Sequence, residues 1–262
     1  GNITTTTKSI IIPITANKDG ESEIKSTECV YGTSASYGTT GVISGNSCVI
    51  NNVKENTNYY YKVTTMNNAG LSTTKTGNST TGQTSVSFTT SQNPTNTSYA
   101  QSKTVKVSYV ATNVTSPTYY VKTTVATTSN INGYNCGTST DPSTCGTTVT
   151  KSYAANTWYK VTGTPLVTFK SNGIIYARIN DGKIYSSSST LSLTKIDTTG
   201  PVNVSLTKGT VTTNSITVVA NATDNESGIS GYEFSIDNGT TWEKAESNTY
   251  TFTGLELGKK YK

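Results

Sequence analysis

Short segments in which apolar and polar residues alternate recur along the whole chain. Residues 104–109 and 215–220 alternate in this way, and residues 59–65 place two tyrosines and a valine on one face. A period of two is typical of β-strands with one buried and one solvated face. We find no convincing pattern of apolar residues at the i, i+3, i+4 spacing of an amphipathic helix. The pattern therefore predicts an all-β protein.

Turn signals separate the predicted strands. They are Asn68-Ala69-Gly70, Asp141-Pro142, Asn172-Gly173, Asp181-Gly182 and Asp237-Asn238-Gly239. Asp-Gly between two strand-like segments is a strong signal for a β-hairpin. We therefore expect antiparallel strands joined by tight turns.

The chain contains an internal repeat. Four segments match in order: residues 1–5 match 209–213, residues 9–10 match 215–216, residues 16–24 match 220–229, and residues 53–59 match 255–261. In this alignment Cys29 falls on Phe234 and Cys48 on Tyr250. Self-similarity of this kind indicates an array of like modules.

The repeat and the prolines predict three units, over residues 1–82, 83–197 and 198–262. Residues 84–88 and 202–206 have the pattern of first strands. The first unit is expected to lack its first strand, and the third to stop before its last strands. The sequence Ile-Asp-Thr-Thr-Gly-Pro at 196–201 predicts a short linker between the second and third units.

Charge and composition exclude several classes of protein. Only 13% of the 262 residues are charged, and the net charge of +5 comes from basic residues scattered singly, with Arg178 as the one arginine. Nucleic-acid binding needs a concentrated basic patch, and a membrane helix needs about 20 apolar residues in a row. The chain has neither. The 17 tyrosines and the many β-branched residues instead suit a pleated, half-buried surface.

The four cysteines favour structural disulfides and an oxidising, extracellular location. A Cys/His zinc site is excluded because the chain has no histidine. One plausible pairing joins Cys29 to Cys48, because the aligned aromatic residues look like core contacts, and joins Cys136 to Cys145 around the Asp141-Pro142 turn. Four cysteines allow three connectivities, so the pairing stays open here.

A run of residues in the first unit resembles the sixth-strand signature of fibronectin type III domains. The run is Val53-x-x-x-Thr57-x-Tyr59-x-x-x-Val63-x-Thr65-x-Asn67-x-x-Gly70. The resemblance implies that Tyr59 is a tyrosine corner, whose hydroxyl bonds to the backbone upstream and pins the crossover between sheets. Tyr261 occupies the corresponding position in the third unit.

The second unit departs from that signature and is similar to the immunoglobulin-like repeats of large bacterial surface proteins. The similarity lies in residues 102–107, 172–178, 181–182 and 196–201. Together the two resemblances imply tandem immunoglobulin-like and fibronectin type III β-sandwiches in an elongated array, with the last domain incomplete.

Candidate catalytic chemistry is sparse. Without histidine, Ser-His-Asp and Cys-His catalysis are excluded. The alternative of a carboxylate pair for glycoside hydrolysis is disfavoured, because the few acids lie mostly in turns, where we expect them to be solvated: Asp19, Glu21, Glu23, Asp141, Asp181, Asp224 and Glu226. Residues 19–23 and 224–228 are also weighed as calcium sites, but each offers only about two carboxylates where calcium takes six to eight oxygens. We expect ordinary turns there.

One motif in the third unit resembles the Asp-box of sialidase propellers. Its residues are Ser235, Asp237, Gly239, Thr241 and Trp242. A glycosidase is the functional alternative, but propellers need repeated blades and only one box is present. We therefore predict a hairpin in which Asp237 bonds the turn backbone, Gly239 takes a positive φ and Trp242 packs beneath.

The resemblances imply a non-catalytic extracellular stalk, spacer or adhesin segment of a bacterial surface protein. The expected partners are a surface glycan, a host protein or other copies of the chain, with no cofactor, nucleic acid or membrane insertion. One alternative is an accessory, carbohydrate-binding region of a secreted polysaccharide-degrading enzyme, for which the adjacent pairs Tyr119-Tyr120 and Trp158-Tyr159 each offer one outward ring for sugar stacking. Another is a subunit of an extracellular filament completed by strand donation.

Overall fold

The computed structural model describes residues 1–16, 20–90, 97–141 and 144–262. Within these ranges all regular secondary structure consists of β-strands. The predicted all-β fold class is therefore confirmed. The strands fall into three groups that follow one another along the chain.

The first group forms two antiparallel four-stranded sheets. Its strands are β1 (Thr4–Thr5), β2 (Ser9–Pro13), β3 (Ile24–Gly32), β4 (Thr39–Thr40), β5 (Val42–Ser44), β6 (Ser47–Asn51), β7 (Asn58–Asn67) and β8 (Ser72–Thr80). One sheet has the order β1-β2-β6-β5 and the other β4-β3-β7-β8. We call residues 4–80 the N-terminal sandwich, because side chains from both sheets form one buried cluster: Ile10, Ile12, Cys29, Cys48, Ile50, Val53, Tyr59 and Val63.

The second group forms one nine-stranded sheet, which we call the middle sheet. Its strands are β9 (Gln83–Thr90), β10 (Lys103–Thr112), β11 (Thr118–Thr123), β12 (Thr127–Asn135), β13 (Val149–Tyr153), β14 (Trp158–Val161), β15 (Leu166–Phe169), β16 (Gly173–Asn180) and β17 (Ser189–Leu193). The order is β17-β16-β11-β14-β12-β15-β10-β9, and β13 pairs with β12.

Strand β12 joins two parts of the middle sheet. Its first residues pair with β15, and Gly133 to Asn135 pair with β14. Its ladder with β13 shifts register between Thr128 and Gly133. A register shift of this kind bends a strand and increases its local twist. The apolar side chains that this arrangement buries are mostly β-branched, and they include Val105, Val107, Val121, Val161, Val167, Phe169, Ile175, Ile179 and Leu193.

The third group forms a three-stranded and a two-stranded sheet. Its strands are β18 (Val202–Val211), β19 (Ser215–Thr223), β20 (Tyr232–Phe234), β21 (Glu243–Ala245) and β22 (Thr249–Thr253). The sheets have the orders β18-β19-β22 and β20-β21. Every residue of β18 is exposed.

The internal repeat is present in the strand pairing. Ile12 of β2 lies opposite Cys48 of β6, and Val218 of β19 lies opposite Tyr250 of β22. These are the residues that the sequence alignment equates. The same hydrophobic pattern has therefore produced the same ladder twice.

The chain separates into two compact units. One contains the described residues of 1–93 and 103–193, and the other those of 94–102 and 194–262. The first unit thus holds both the N-terminal sandwich and the middle sheet. The unit boundaries predicted at 82/83 and 197/198 stay predictions.

Candidate functional site

A disulfide between Cys29 and Cys48 joins the two sheets of the N-terminal sandwich. Cys29 lies in β3 and Cys48 in β6, their Cα atoms are 6.1 Å apart, and both side chains are fully buried. In the third group the aligned residues Phe234 and Tyr250 stack with ring centroids 5.6 Å apart. A covalent bridge and an aromatic pair therefore occupy equivalent places in the two repeats.

The two tyrosines assigned to corners each bind a backbone amide upstream. The Tyr59 hydroxyl accepts a hydrogen bond from the Lys54 amide at 3.0 Å. The Tyr261 hydroxyl accepts one from the Glu256 amide at 2.9 Å. Both bonds span five residues, so each closes the connection that leads to the tyrosine.

A third tyrosine with the same contact was missed by the sequence analysis. The Tyr159 hydroxyl accepts a hydrogen bond from the Ala154 amide at 2.9 Å, again across five residues. The residue three places before each tyrosine has a positive φ, of 47° at Asn56, 59° at Asn156 and 79° at Gly258. The sequence signal is the Asn-Thr-x-Tyr spacing that the first and second units share, although the second unit otherwise departs from the fibronectin-like signature.

A second disulfide joins Cys136 and Cys145 on the face of the middle sheet that carries Tyr120 and Trp158, which we call its outer face. Its Cα atoms are 4.0 Å apart. Pro142, which belongs to the turn predicted between these cysteines, lies outside the described residues. Cys136 packs in one buried cluster with Tyr120 and Trp158.

Arg178 lies at the centre of an aromatic and cationic cluster beneath this loop. Its guanidinium carbon is 4.1 Å from the ring centroid of Trp158 and 4.0 Å from that of Tyr185. The Lys122 amine lies 5.0 Å from the Trp158 ring and 4.8 Å from the Tyr176 ring. Contacts of a cation with an aromatic face are strongest when water is excluded. The stacking therefore holds β11, β14 and β16 together on this face.

The disulfide loop supplies the polar partners of Arg178. The guanidinium donates to the Thr140 carbonyl oxygen and to Asp141 Oδ1, the latter at 3.5 Å. Its buried Nε has no hydrogen-bond partner within the described part of the chain. Burial lowers the pKa of Arg178 from its usual value, while Tyr185 and Asp141 act in the opposite direction. We interpret the cluster as a structural support for the loop.

The adjacent aromatic pair Trp158-Tyr159 does not offer an outward ring. Trp158 is 3% exposed and Tyr159 is 2% exposed. The expected alternation fails because Arg178 and the disulfide loop cover the outer face on which Trp158 lies. Tyr120 is buried in the same cluster. The outward ring expected at Trp158-Tyr159 is therefore absent, and in the other pair Tyr119 is half-buried with its ring 4.9 Å from that of Tyr109.

The Asp-box residues form a tightly bonded hairpin. Asp237 Oδ1 accepts bonds from the amides of Thr240 and Thr241, and its Oδ2 accepts one from the Thr241 hydroxyl at 2.7 Å. The Ser235 hydroxyl accepts the Gly239 amide at 2.8 Å. These bonds, led by those from Thr241, lower the pKa of Asp237 to about 2. These hydrogen bonds give each of Ser235, Asp237 and Thr241 a structural role in the hairpin.

The prediction that Trp242 packs beneath this hairpin is wrong. Trp242 is 57% exposed, although its Nε1 donates to the Gly239 carbonyl oxygen at 3.1 Å. Gly239 itself has a φ of 83°. The indole contacts the turn at Gly239, where an added Cβ atom would lie 3.6 Å from Trp242 Cζ2, but more than half of its surface remains in solvent.

Asp181 corrects the expectation that the turn acids are solvated. Its residue is 3% exposed, and its carboxylate accepts bonds from Lys183, Ile184 and both the amide and hydroxyl of Thr7. Burial opposes its ionisation, but these hydrogen bonds outweigh burial and hold the pKa of Asp181 below its usual value. A hairpin acid has therefore become a buried connection to a residue far away in sequence.

The described residues of the two segments weighed as calcium sites act mainly in the turns themselves. Asp224 Oδ1 accepts the amides of Glu226, Ser227 and Gly228, which makes it the cap of its own turn. Asp19 lies outside the described residues. Among the residues that are described, no group of three or more His, Cys, Asp or Glu side chains is placed to hold a metal ion.

An apolar groove of about 570 Å³ lies on the third group of strands. Its apolar lining includes Val204, Leu206, Val218, Ile229, Phe234 and Trp242. Val204 is 73% exposed and Leu206 is 64% exposed. Exposed apolar patches of this kind mark interaction surfaces or unfinished packing. Over the described ranges, no helix long and apolar enough to cross a membrane is found.

Comparison with known proteins finds similarity among solved structures alone. No protein-family model and no curated protein matches the chain. The similar solved structures are tandem fibronectin III and immunoglobulin-like domains. They include chicken CNTN1 FN1-FN3 domains (11% identity, 97% of this chain and 86% of that chain covered, TM-score 0.24) and a domain segment of titin (10%, 97% and 85%, 0.33). A third comprises Clostridium thermocellum CbhA fibronectin(III)-like modules (10%, 72% and 86%, 0.26).

Proposed function

We propose that this chain is a non-catalytic stalk or adhesin segment of a large bacterial surface protein, working outside the cell. The observation that carries the proposal is the buried Cys29–Cys48 bridge between the two sheets of the N-terminal sandwich. Disulfides persist in oxidising compartments. A bridge between two packed sheets also limits their separation, which suits a segment that transmits force.

The proposal is tested on intact cells of the source organism with antibodies raised against residues 1–262. We expect the antibodies to label unpermeabilised cells and an external protease to remove the signal. A cytoplasmic protein, labelled only after permeabilisation, is the control. Labelling of this chain that also required permeabilisation would contradict a surface location.

The stalk and adhesin roles differ in whether the segment itself binds a partner. An adhesin segment binds a surface glycan or a host protein, so the purified chain should give saturable binding to one of these on an array. A stalk gives no binding but holds a distal domain away from the cell. In that case, deleting residues 1–262 should lower adhesion of the whole protein to cells while leaving binding by the isolated distal domain unchanged.

The second candidate is a filament subunit, and the apolar groove on the third group of strands favours it. Strand β20, which the repeat equates with β3, pairs with β21. A strand from a second copy would extend this sheet by antiparallel pairing and cover the groove.

Sedimentation over a range of protein concentrations tests strand donation. A filament subunit forms larger species as concentration rises, and Leu206→Lys in the groove should prevent this. Val211→Lys is the matched control, because Val211 is 52% exposed on the same strand but does not line the groove. A wild-type chain that stays monomeric at every concentration rules out this candidate.

A further inference from the structure

A buried carboxylate connects the middle sheet to the N-terminal sandwich. Asp181 follows β16, and its Oδ1 accepts the amides of Lys183 at 3.0 Å and Ile184 at 2.9 Å, which fixes its own turn. Its Oδ2 accepts the Thr7 amide at 2.9 Å and the Thr7 hydroxyl at 2.5 Å. Oδ1 is thus bonded within the middle sheet, and Oδ2 is bonded to the N-terminal sandwich. Separating Asp181 from Thr7 would deprive two hydrogen-bond donors of their acceptor.

A second contact forms between residues 5 and 113–115. The Thr5 amide donates to the Thr115 hydroxyl at 2.9 Å, and the Thr115 amide donates to the Thr5 carbonyl oxygen at 3.1 Å. The Thr5 hydroxyl donates to the Asn113 carbonyl oxygen at 2.5 Å. This exchange of backbone and side-chain bonds resembles one rung of an antiparallel ladder.

The covalent connection between the two bodies is the third contact. The Gly82 amide donates to the Thr6 carbonyl oxygen at 2.8 Å, and the Gly82 carbonyl oxygen accepts the Asn56 amide at 3.1 Å. A Cβ atom on Gly82 would lie 2.5 Å from Val114 Cγ2 and 2.9 Å from the Asn113 carbonyl oxygen. Only glycine lets the chain pass this closely.

The contact of Thr7 with Asp181 is buried, whereas the contact of Thr5 with residues 113 and 115 lies at the exposed edge of the same junction. Thr6, Thr7, Thr81 and Asp181 are all at most 6% exposed. Opening a buried polar junction leaves donors and acceptors without partners, which is unfavourable. Three consecutive residues, Thr5 to Thr7, thus bond to three different segments of the chain, and these bonds restrict motion that a single linker alone would allow.

We propose that this junction locks the N-terminal sandwich and the middle sheet into one rigid body, with Asp181 and Thr7 as the positioning residues. We call it the Thr7–Asp181 joint. The inference rests on these contacts and is independent of the role proposed above. Its consequence is that two modules move together, so that bending of the array is excluded at this point.

Residual dipolar couplings of the weakly aligned full chain test the joint directly. Couplings from residues 4–80 and from residues 103–193 are fitted separately and then together. We expect one common alignment tensor for the wild-type protein. Two tensors of different magnitude or orientation in the wild-type protein would overturn the proposal, and this outcome needs no variant.

Variants then identify the residues responsible. Thr7→Val removes the hydroxyl bond to Asp181 while keeping the branched side chain, and Thr115→Val removes the second contact. The double variant should lose the common tensor while each body keeps its own amide chemical shifts away from the junction. If the double variant does not fold, the same comparison is made with Thr7→Val alone.

Matched controls remove equivalent hydroxyl pairs elsewhere in the same unit. Thr64→Val breaks the Thr64–Thr74 hydroxyl contact of 3.1 Å, and Thr168→Val breaks the Thr104–Thr168 contact of 2.9 Å. Both should retain the common tensor. A common tensor that survives in the joint variants as well would overturn the role proposed for Thr7 and its bond to Asp181.

Discussion

At the scale of single residues, three tyrosine hydroxyls perform one task in three groups of strands. Tyr59, Tyr159 and Tyr261 each accept a hydrogen bond from an amide five residues upstream. The bond satisfies a backbone donor at the point where the chain turns into its next strand. Tyr159 also stacks on Tyr153, with ring centroids 4.4 Å apart.

Replacing Tyr159 with Phe isolates the value of this bond. The ring contacts remain, but the Ala154 amide loses its acceptor, so we expect a loss of about 1–2 kcal/mol in the free energy of unfolding. Denaturant titration measures it. Tyr60→Phe is the control, because Tyr60 is 36% exposed on β7 and its replacement should change stability by less than about 0.5 kcal/mol. Equal effects of the two substitutions would refute a special role for Tyr159.

Asp181 makes the stability of the first unit depend on pH. Its folded-state pKa lies below its usual value, so its contribution is fully present above the unfolded-state pKa of about 3.9. That contribution is lost as the pH falls through the lower, folded-state pKa.

We therefore expect the difference in melting temperature between the wild type and Asp181→Asn to shrink as the pH falls from neutral to strongly acidic. Thermal unfolding followed at a series of pH values measures it. Glu55→Gln, at an exposed position of the same unit, should track the wild type. If the difference in melting temperature stayed constant with pH, the negative charge of Asp181 would not be the source of its stabilising effect.

At the scale of elements, each disulfide supports a different structure. The Cys136–Cys145 bridge holds the loop that supplies Thr140 and Asp141 to Arg178. Arg178 in turn covers Trp158. Removing the bridge should therefore uncover an indole on the outer face of the middle sheet.

The double variant Cys136→Ala, Cys145→Ala tests this in a Trp242→Phe background, where Trp158 is the remaining tryptophan. We expect acrylamide to quench its fluorescence more strongly, with a stability loss of roughly 2.5 kcal/mol from the shorter closed loop. The control removes Cys29 and Cys48 in the same background and should leave quenching of Trp158 unchanged. Unchanged quenching in both variants would mean that the loop stays in place without its bridge.

The Cys29–Cys48 bridge supports the packing of two sheets, and its loss should be local. Chain-entropy arguments give about 3 kcal/mol for a loop of this length. In a reductant, we expect hydrogen exchange to quicken at the amides of β3 and β6. The equivalent strands β20 and β22 carry the Phe234–Tyr250 stack instead and should not respond, so they act as an internal control.

The sequence predicted elements better than it predicted contacts. Three segments predicted as strands, residues 59–65, 104–109 and 215–220, lie within β7, β10 and β19. These predictions succeed because the alternation of apolar and polar residues depends on a single strand. The Arg178 cluster and the Thr7–Asp181 joint depend on strands far apart in the chain. Local periodicity does not encode which acid meets which hydroxyl, so Asp181 was expected in solvent.

At the scale of the whole molecule, the repeat explains both what the groups of strands share and where they differ. The ladder of Ile12 with Cys48 recurs as that of Val218 with Tyr250. The repeats differ at the aligned core position, where the N-terminal sandwich has the Cys29–Cys48 bridge and the third group has the Phe234–Tyr250 stack. The same pattern of strands therefore accommodates two kinds of core contact.

The bridge between Cys29 and Cys48 has a consequence when the chain is stretched. The cysteines are 19 residues apart in sequence, and the covalent bond keeps this segment from extending even after the sandwich has unfolded. At about 3.5 Å per extended residue, the oxidised sandwich yields roughly 60 Å less contour than the reduced one. A pulling experiment in an optical trap would register this as a shorter step. The disulfide therefore limits the extension of the sandwich under load, and its redox state sets how far the chain can be stretched.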